Sequence, residues 1–118
     1  MTALAALVTS ACAGSIPRPP TGPDVRRTGV VVPFPPPVAR VQVVPTAKDP
    51  DAVWVNGQWE WDRGRYDWIE GHWRVPPPNA YFLPWRARRR PDGTLVFLEA
   101  GWWSEDGRPL DERPRRRA

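Results

Sequence analysis

The sequence predicts an all-β protein, a small antiparallel β-meander of tryptophan-rich hairpins that follows a proline-rich extended segment. The first observation is that all eight tryptophans lie between residues 54 and 103. The second is that glycines separate them at a regular spacing, which favours short strands joined by tight turns. The third is that ten of the seventeen prolines fall between residues 16 and 50, where they favour extended polyproline II.

The chain opens with a short apolar run, MTALAALVTSACAG, that contains its only cysteine, Cys12. A run of this length indicates a secretory signal, since a membrane span needs about 20 apolar residues. The box TSAC, residues 9–12, resembles the end of a bacterial lipoprotein signal, in which small residues precede a cysteine that becomes lipidated. We predict a signal peptide over residues 1–11, truncated at its start because no basic residue precedes the run, and lipidation of Cys12. The alternative is a frayed apolar N-terminus with a buried cysteine.

Residues 12–50 are predicted to form a proline-rich tether between this anchor and a folded domain. Polyproline II rises about 3.1 Å per residue, so the segment could be a semi-rigid spacer of up to roughly 100 Å. Its stretch ARVQVV, residues 39–44, could add one edge strand. A PxxP ligand for an SH3-like domain is the alternative, and a tether fits better behind a lipid anchor.

The stretch WVNGQWEW, residues 54–61, contains the first hairpin signal. Asn56-Gly57 stands between alternating apolar residues, and this dipeptide favours a type I′ turn, in which both central residues have positive φ. Such a turn would place Trp54 opposite Trp59 in a close, non-hydrogen-bonded pair, where cross-strand aromatic contacts stabilise most.

The same spacing recurs twice in the next residues. Trp54-x-x-Gly57-x-Trp59 is followed by Trp61-x-x-Gly64-x-Tyr66 and by Trp68-x-x-Gly71-x-Trp73. Period-two alternation would place every aromatic on one face of the sheet. The predicted turn glycines are Gly57, Gly64, Gly71 and, later in the chain, Gly101. The aromatic face is a possible ligand-binding surface, with one row of Trp54, Trp59, Trp68 and Trp73 and a second row that includes Trp61 and Tyr66.

The spacing resembles that of the YXWGXW (WxxGxW) repeat family of small bacterial secreted proteins and lipoproteins. YDWIEGHW, residues 66–73, matches the pattern directly, and AVWVNGQW, residues 52–59, matches it except for Ala52 at the tyrosine position. The resemblance implies a location at the bacterial cell envelope, facing the periplasm or the cell surface, and a hairpin fold. It implies no particular biochemical activity.

Later copies of the repeat are degenerate. VFLEAGWW keeps Leu98, Gly101 and Trp103 at the repeat spacing. Because both faces of this stretch are apolar, it requires cover on both sides, and we expect the C-terminal hairpin to fold against the first meander and cover part of the aromatic face. The predicted β-domain spans residues 51–105, and residues 106–118 are predicted to be a basic disordered tail.

Residues for catalysis or metal binding are scarce. His72 is the only histidine and Cys12 the only thiol, so neither a nucleophile triad nor a metal site can be assembled. We therefore predict no enzymatic activity, no metal and no cofactor.

The polar face of the meander offers one pair of carboxylates. Glu60 and Asp67 would face each other, as the acids of a glycosidase do. The simpler interpretation, which we favour, is a ladder of exposed ion pairs in which Asp67 also faces Arg74 and Asp62 faces Arg65, each worth only tenths of a kcal/mol.

Two arginine clusters, residues 86–90 and 113–117, give the chain a basic pole. Behind a secretion signal, the phosphates within reach belong to lipopolysaccharide or phospholipid head groups. The alternative is a solvated, solubilising tail. No base-reading motif accompanies the arginines, so we expect no specific nucleic acid partner.

These features together predict a non-catalytic cell-envelope lipoprotein with a structural or interaction role. Its expected partners are the membrane, through a lipid anchor, and possible further partners are peptidoglycan, another glycan or an envelope protein. The alternative function is a glycan- or peptidoglycan-binding module that uses an exposed tryptophan face. Nucleic-acid binding is a third and weaker interpretation.

Overall fold

A computed structural model describes residues 15–110, and this part of the chain is all-β, as predicted. Cys12, the signal peptide and the end of the basic tail lie outside the described residues. Residues 15–110 contain no helix long and apolar enough to span a membrane. Their nine strands are β1 (Val30–Val31), β2 (Val53–Val55), β3 (Gln58–Asp62), β4 (Arg65–Ile69), β5 (His72–Arg74), β6 (Ala80–Leu83), β7 (Arg86–Arg89), β8 (Leu95–Leu98) and β9 (Gly101–Ser104).

The strands β2 to β5 form one long antiparallel hairpin, here called the first ribbon. Its inner part is the β3–β4 pair, in which Trp59 faces Trp68, and its outer part is the β2–β5 pair, in which Trp54 faces Trp73. Both parts share one register. The two copies of the repeat therefore run antiparallel, each lying along the other.

This pairing corrects the predicted connectivity. The turn of the ribbon is Arg63-Gly64, whose φ angles of 52° and 82° are both positive, as a type I′ turn requires. Asn56 and Gly57 do not have positive φ and form no hairpin. The prediction that Trp54 faces Trp59 is therefore wrong, because the chain continues from β2 into β3 and reverses only once.

The strands β6 to β9 form a second ribbon on the same plan. The β7–β8 pair is the inner part, with Ala87 facing Phe97, and the β6–β9 pair is the outer part, with Phe82 facing Trp102. A longer turn joins β7 and β8, and Gly93 adopts a φ of 89° there.

Each ribbon has a gap in its strand pairing, between the inner and the outer part. The two ribbons correspond position by position when these gaps are aligned. Residues 56–57 and 70–71 interrupt the first ribbon, and residues 84–85 and 99–100 interrupt the second. On this alignment Phe82, Ala87, Phe97 and Trp102 occupy the places of Trp54, Trp59, Trp68 and Trp73. In the degenerate copy the repeat positions are therefore Phe97 and Trp102, one residue before the Leu98 and Trp103 that the sequence spacing predicts. A shift of one residue matters, since it exchanges the two faces of a strand.

The N-terminal segment, residues 15–50, is extended, and it lies against both ribbons instead of running free of them. The Pro17 carbonyl accepts a hydrogen bond from Trp54 N at 2.8 Å, and the Pro20 carbonyl accepts one from Phe82 N at 3.0 Å. β1 pairs with β8 in a three-stranded sheet of order β1-β8-β7. The edge strand predicted at residues 39–44 is not formed, and the strand that the N-terminal segment adds is β1.

The core draws on all three parts of the chain. Val32 of the N-terminal segment, Trp59 of the first ribbon and Phe97 of the second form one buried cluster. Val55, Ala80 and Trp102 form another between the two ribbons (Leu110 packs against it). The expectation that the C-terminal hairpin covers part of the aromatic face is confirmed through Phe97, and the N-terminal segment supplies cover that was not predicted.

Candidate functional site

The candidate site is the aromatic face of the first ribbon, where the tryptophans meet in edge-to-face pairs. The rings of Trp54 and Trp73 are 5.5 Å apart at 68°, and those of Trp59 and Trp68 are 5.0 Å apart at 67°. This is the arrangement that aromatic quadrupoles prefer. Rings at such angles do not share a plane, so the row is not a flat platform on which a sugar ring could stack.

Burial differs along this face. Trp54 and Trp59 are only 3% and 5% exposed, while Trp68 and Trp73 are half-buried. Of the second row, Trp61 and Tyr66 are half-buried and lie 4.8 Å apart. These six side chains, predicted as a possible ligand-binding face, are thus largely in contact with one another.

A short piece of the N-terminal segment, residues 40–45, lies across the four tryptophans of the first row and is here called the covering segment. Its Arg40 guanidinium carbon is 5.4 Å from the ring centre of Trp59 and 5.9 Å from that of Trp68. The Pro45 carbonyl accepts a hydrogen bond from Trp73 Nε1 at 2.7 Å. Cation–π contacts of this kind hold the segment on the aromatic face.

Gln42 is the residue of the covering segment that enters the gap of the ribbon. Its Oε1 accepts a hydrogen bond from Gly57 N at 2.8 Å, and its Nε2 donates one to Glu70 Oε2. The gap would otherwise leave the amide of Gly57 without a strand partner, so the Gln42 side chain supplies the acceptor that a paired strand would provide.

Gly57 and Gly71 permit a close approach of aromatic rings. A Cβ at Gly57 would overlap the Trp68 ring, and a Cβ at Gly71 would lie 2.5 Å from the Trp54 ring. Each repeat therefore places its first tryptophan over the glycine of the other repeat. The WxxGxW spacing is explained by this reciprocal packing and not by a turn.

Only one of the four predicted turn glycines lies in a turn. Gly64 does, with its positive φ. Gly57 and Gly71 lie in the gap, and Gly101 is the first residue of β9, opposite Leu83. The prediction of turns at these three positions is wrong, because a glycine is equally required where a ring contacts the backbone.

The second aromatic row is also covered by the N-terminal segment. Phe34 packs edge-on against Trp61 and Tyr66, with ring centres 5.5 and 5.6 Å away. The Tyr66 hydroxyl donates to the Phe34 carbonyl at 2.8 Å. Burial raises the pKa of Tyr66, which keeps this donor protonated.

An open groove of about 570 Å³ borders the outer end of the aromatic face. Trp54 and Trp73 form its aromatic wall, and polar groups come from Gln42, Glu70 and His72. It combines aromatic edges with hydrogen-bonding side chains, as small-molecule sites do.

The polar face of the ribbon contains the predicted ion pairs in part. Glu60 faces Asp67 and Asp62 faces Arg65, as predicted, and Arg65 Nε lies 3.2 Å from Asp67 Oδ1. Arg74 faces Val53 and not Asp67, because the third predicted turn does not exist. Within residues 15–110 there is no cluster of three or more His, Cys, Asp or Glu side chains with metal-binding geometry.

Sequence reasoning missed the covering segment. The signal was present in ARVQVV, where Arg40 and Gln42 alternate with Val41 and Val43. In the structure the polar pair contacts the ribbon, while Val41 and Val43 are almost fully exposed. The usual inside-outside pattern is reversed here, which is why alternation alone misleads.

Comparison with known protein families identifies residues 53–74 as two copies of the WXXGXW repeat. No curated protein and no solved structure matches the chain significantly. The matched residues run from the start of β2 to the end of β5, and the predicted resemblance is confirmed over this range. The first ribbon is a pair of WXXGXW repeats.

Proposed function

We propose that the protein is a non-catalytic lipoprotein of the bacterial cell envelope, with a structural or interaction role. The observation that carries this proposal is the use of the tryptophans by the fold itself. Their rings pack on each other and on two glycines, and the covering segment lies over them. The repeat then supplies a stable small scaffold whose outer surface is available for contacts.

The lipid anchor at Cys12 belongs to the same proposal. Only four residues separate Cys12 from Pro17, whose carbonyl already accepts a hydrogen bond from β2. At about 3.5 Å per extended residue, the anchor would keep the domain within roughly 20 Å of the lipid. Since residues 17–50 lie against the ribbons, the scaffold would sit at the membrane surface and not at the end of a long spacer.

Metabolic labelling with a radioactive lipid precursor tests the anchor. The wild-type protein should incorporate label and fractionate with membranes, whereas Cys12→Ser should do neither. Equal labelling of both proteins, or a mature N-terminus elsewhere, would refute the lipid anchor.

A second candidate function is glycan binding in the groove at Trp54 and Trp73. The polar side chains beside these rings favour it. Val43 borders the groove and is 93% exposed, so Val43→Arg should block the groove without unfolding the protein. Val38→Arg is the matched control, because Val38 is 91% exposed and lies outside the groove. Retention on a peptidoglycan column that only Val43→Arg abolishes would favour glycan binding, and no retention of the wild type would reject it.

A further inference from the structure

Several arginines converge beside the second ribbon, on one carboxylate. Asp24 lies 3.5 Å from Arg27, 3.4 Å from Arg86 and 3.9 Å from Arg88. These separations are longer than the roughly 2.7–2.9 Å of a direct charge-assisted hydrogen bond. One loosely held carboxylate therefore faces three guanidinium groups, and a net positive charge remains.

Arg27 is the fixed member of this group. Its side chain is 5% exposed, and its Nη1 donates to the carbonyls of Pro84 at 2.7 Å and Glu99 at 3.2 Å. Among the described residues its buried Nε has no hydrogen-bond acceptor. Burial lowers the pKa of Arg27, Asp24 raises it, and Arg86 and Arg88 lower it further, which reflects a desolvated cation among like charges.

A cavity of about 220 Å³ opens at this cluster and is here called the arginine cavity. Its charged lining consists of Asp24 and the four arginines Arg26, Arg27, Arg88 and Arg90. Its remaining wall is small or apolar, formed by Val25, Gly29, Val96 and Leu98. The four arginines outnumber the one carboxylate, so the site has a net positive charge. The apolar wall does not compete for their hydrogen bonds.

We propose that the arginine cavity binds a phosphate group, and that this phosphate belongs to an anionic lipid head group. Planar guanidinium groups bind phosphate oxygens in bidentate fashion, and four of them line this cavity. The cavity volume accommodates a phosphate with part of its ester.

The lipid source rests on the proposed envelope location, since an anchor at Cys12 would hold the cavity near the membrane surface. The cavity wall formed by residues 24–29 lies in the N-terminal segment, close in sequence to the anchor, and the second ribbon supplies the rest of the lining. A phosphate bound there would orient the domain on the bilayer.

The test uses the full chain with Cys12→Ser, so that acyl chains cannot contribute to membrane binding. In this background Arg88→Gln/Arg90→Gln is compared with Arg65→Gln/Arg108→Gln. Each pair removes two positive charges, and Arg65 and Arg108 are exposed residues outside the cavity. Cosedimentation with phosphatidylcholine vesicles that contain phosphatidylglycerol gives the affinity, and calorimetry with inorganic phosphate gives the second arm.

We expect the cavity pair to weaken vesicle binding by about 30-fold, the effect of removing two basic contacts at an anionic surface, and the control pair to weaken it far less. Equal losses in both pairs would overturn the site, since they would show attraction by net charge alone. If inorganic phosphate binding depended on Arg88 and Arg90 but the two pairs had equal vesicle affinity, the phosphate site would be supported and its lipid source overturned. Stronger cavity-dependent binding of single-stranded DNA would overturn the lipid source in favour of nucleic acid. Failure of the lipid-precursor labelling, by contrast, would refute the lipid anchor and leave these measurements valid, because they use the Cys12→Ser protein.

Discussion

At the scale of the residue, the two gap glycines explain why the repeat has its spacing. Gly71 lies under the Trp54 ring, with the Val55 carbonyl 2.8 Å from the place a Cβ would occupy. Backbone atoms cannot move aside as a flexible side chain can. Glycine is therefore required at this position because the other repeat contacts it across the ribbon. This requirement becomes visible only when the two repeats are paired.

Gly71→Ala should destabilise the protein by about 1–3 kcal/mol, because the added methyl group is forced into the Trp54 ring and the Val55 carbonyl. Gly101→Ala is the matched control, since nothing lies within 4 Å of a Cβ there and its φ is not positive. Thermal unfolding followed by circular dichroism should show a melting temperature lowered by roughly 4–8 °C per kcal/mol for Gly71→Ala only. Equal melting temperatures for the two variants would show that the ring does not contact the glycine.

The turn of the first ribbon offers a second test at this scale. Arg63 has a φ of 52°, an uncommon conformation for arginine, whereas asparagine adopts it more readily. Arg63→Asn should therefore stabilise the protein by about 0.5–1 kcal/mol and raise the melting temperature. A lowered melting temperature would contradict a type I′ turn at Arg63-Gly64.

At the scale of the element, the first ribbon is completed by a segment from outside it. Gln42 bonds to Gly57 on one side of the gap and to Glu70 on the other, so it joins the two sides. Isolated two-stranded hairpins are marginally stable in water. The covering segment is thus part of the ribbon and not a linker that passes by.

Gln42→Glu should weaken this element at neutral pH. The change removes the donor to Glu70 and places a second carboxylate beside it, and the two negative charges repel. A carboxylate pair of this kind has a raised pKa in the folded state, so stability is lost as the pH rises and is regained in acid. Gln58→Glu is the control, because Gln58 begins β3 and faces Ile69 instead of a carboxylate. If the melting temperatures of Gln42→Glu and Gln58→Glu changed equally with pH, the role of Gln42 would be contradicted.

Much of this element could be predicted from sequence, and the rest could not for a physical reason. The predicted rows that hold Trp59 with Trp68 and Trp61 with Tyr66 are confirmed, since strand alternation fixes these pairs once the turn at Gly64 is placed. The prediction of a hairpin at Asn56-Gly57 is wrong, because a local turn signal does not reveal that the Trp68 ring of the other repeat packs on Gly57. The covering segment was missed because no local pattern links it to its partners, which lie tens of residues along the chain.

At the scale of the whole molecule, neither ribbon has a core of its own. The fully buried Phe97 belongs to the second ribbon, yet it packs with Trp59 of the first and Val32 of the N-terminal segment. Small β-domains bury little surface, so each large aromatic side chain in such a shared cluster contributes heavily to stability. The proline-rich segment and both ribbons should consequently unfold together.

The central claim is that the tryptophan row is the core of the scaffold, and thermal unfolding of Trp59→Ala tests it most directly. Trp59 is 5% exposed and contacts all three parts of the molecule. The account predicts a loss of roughly 3–5 kcal/mol, enough to unfold a domain of this size at room temperature. A Trp59→Ala protein that melts within a degree or two of the wild type, and that has lost retention on a peptidoglycan column, would contradict it and identify the row as a binding face.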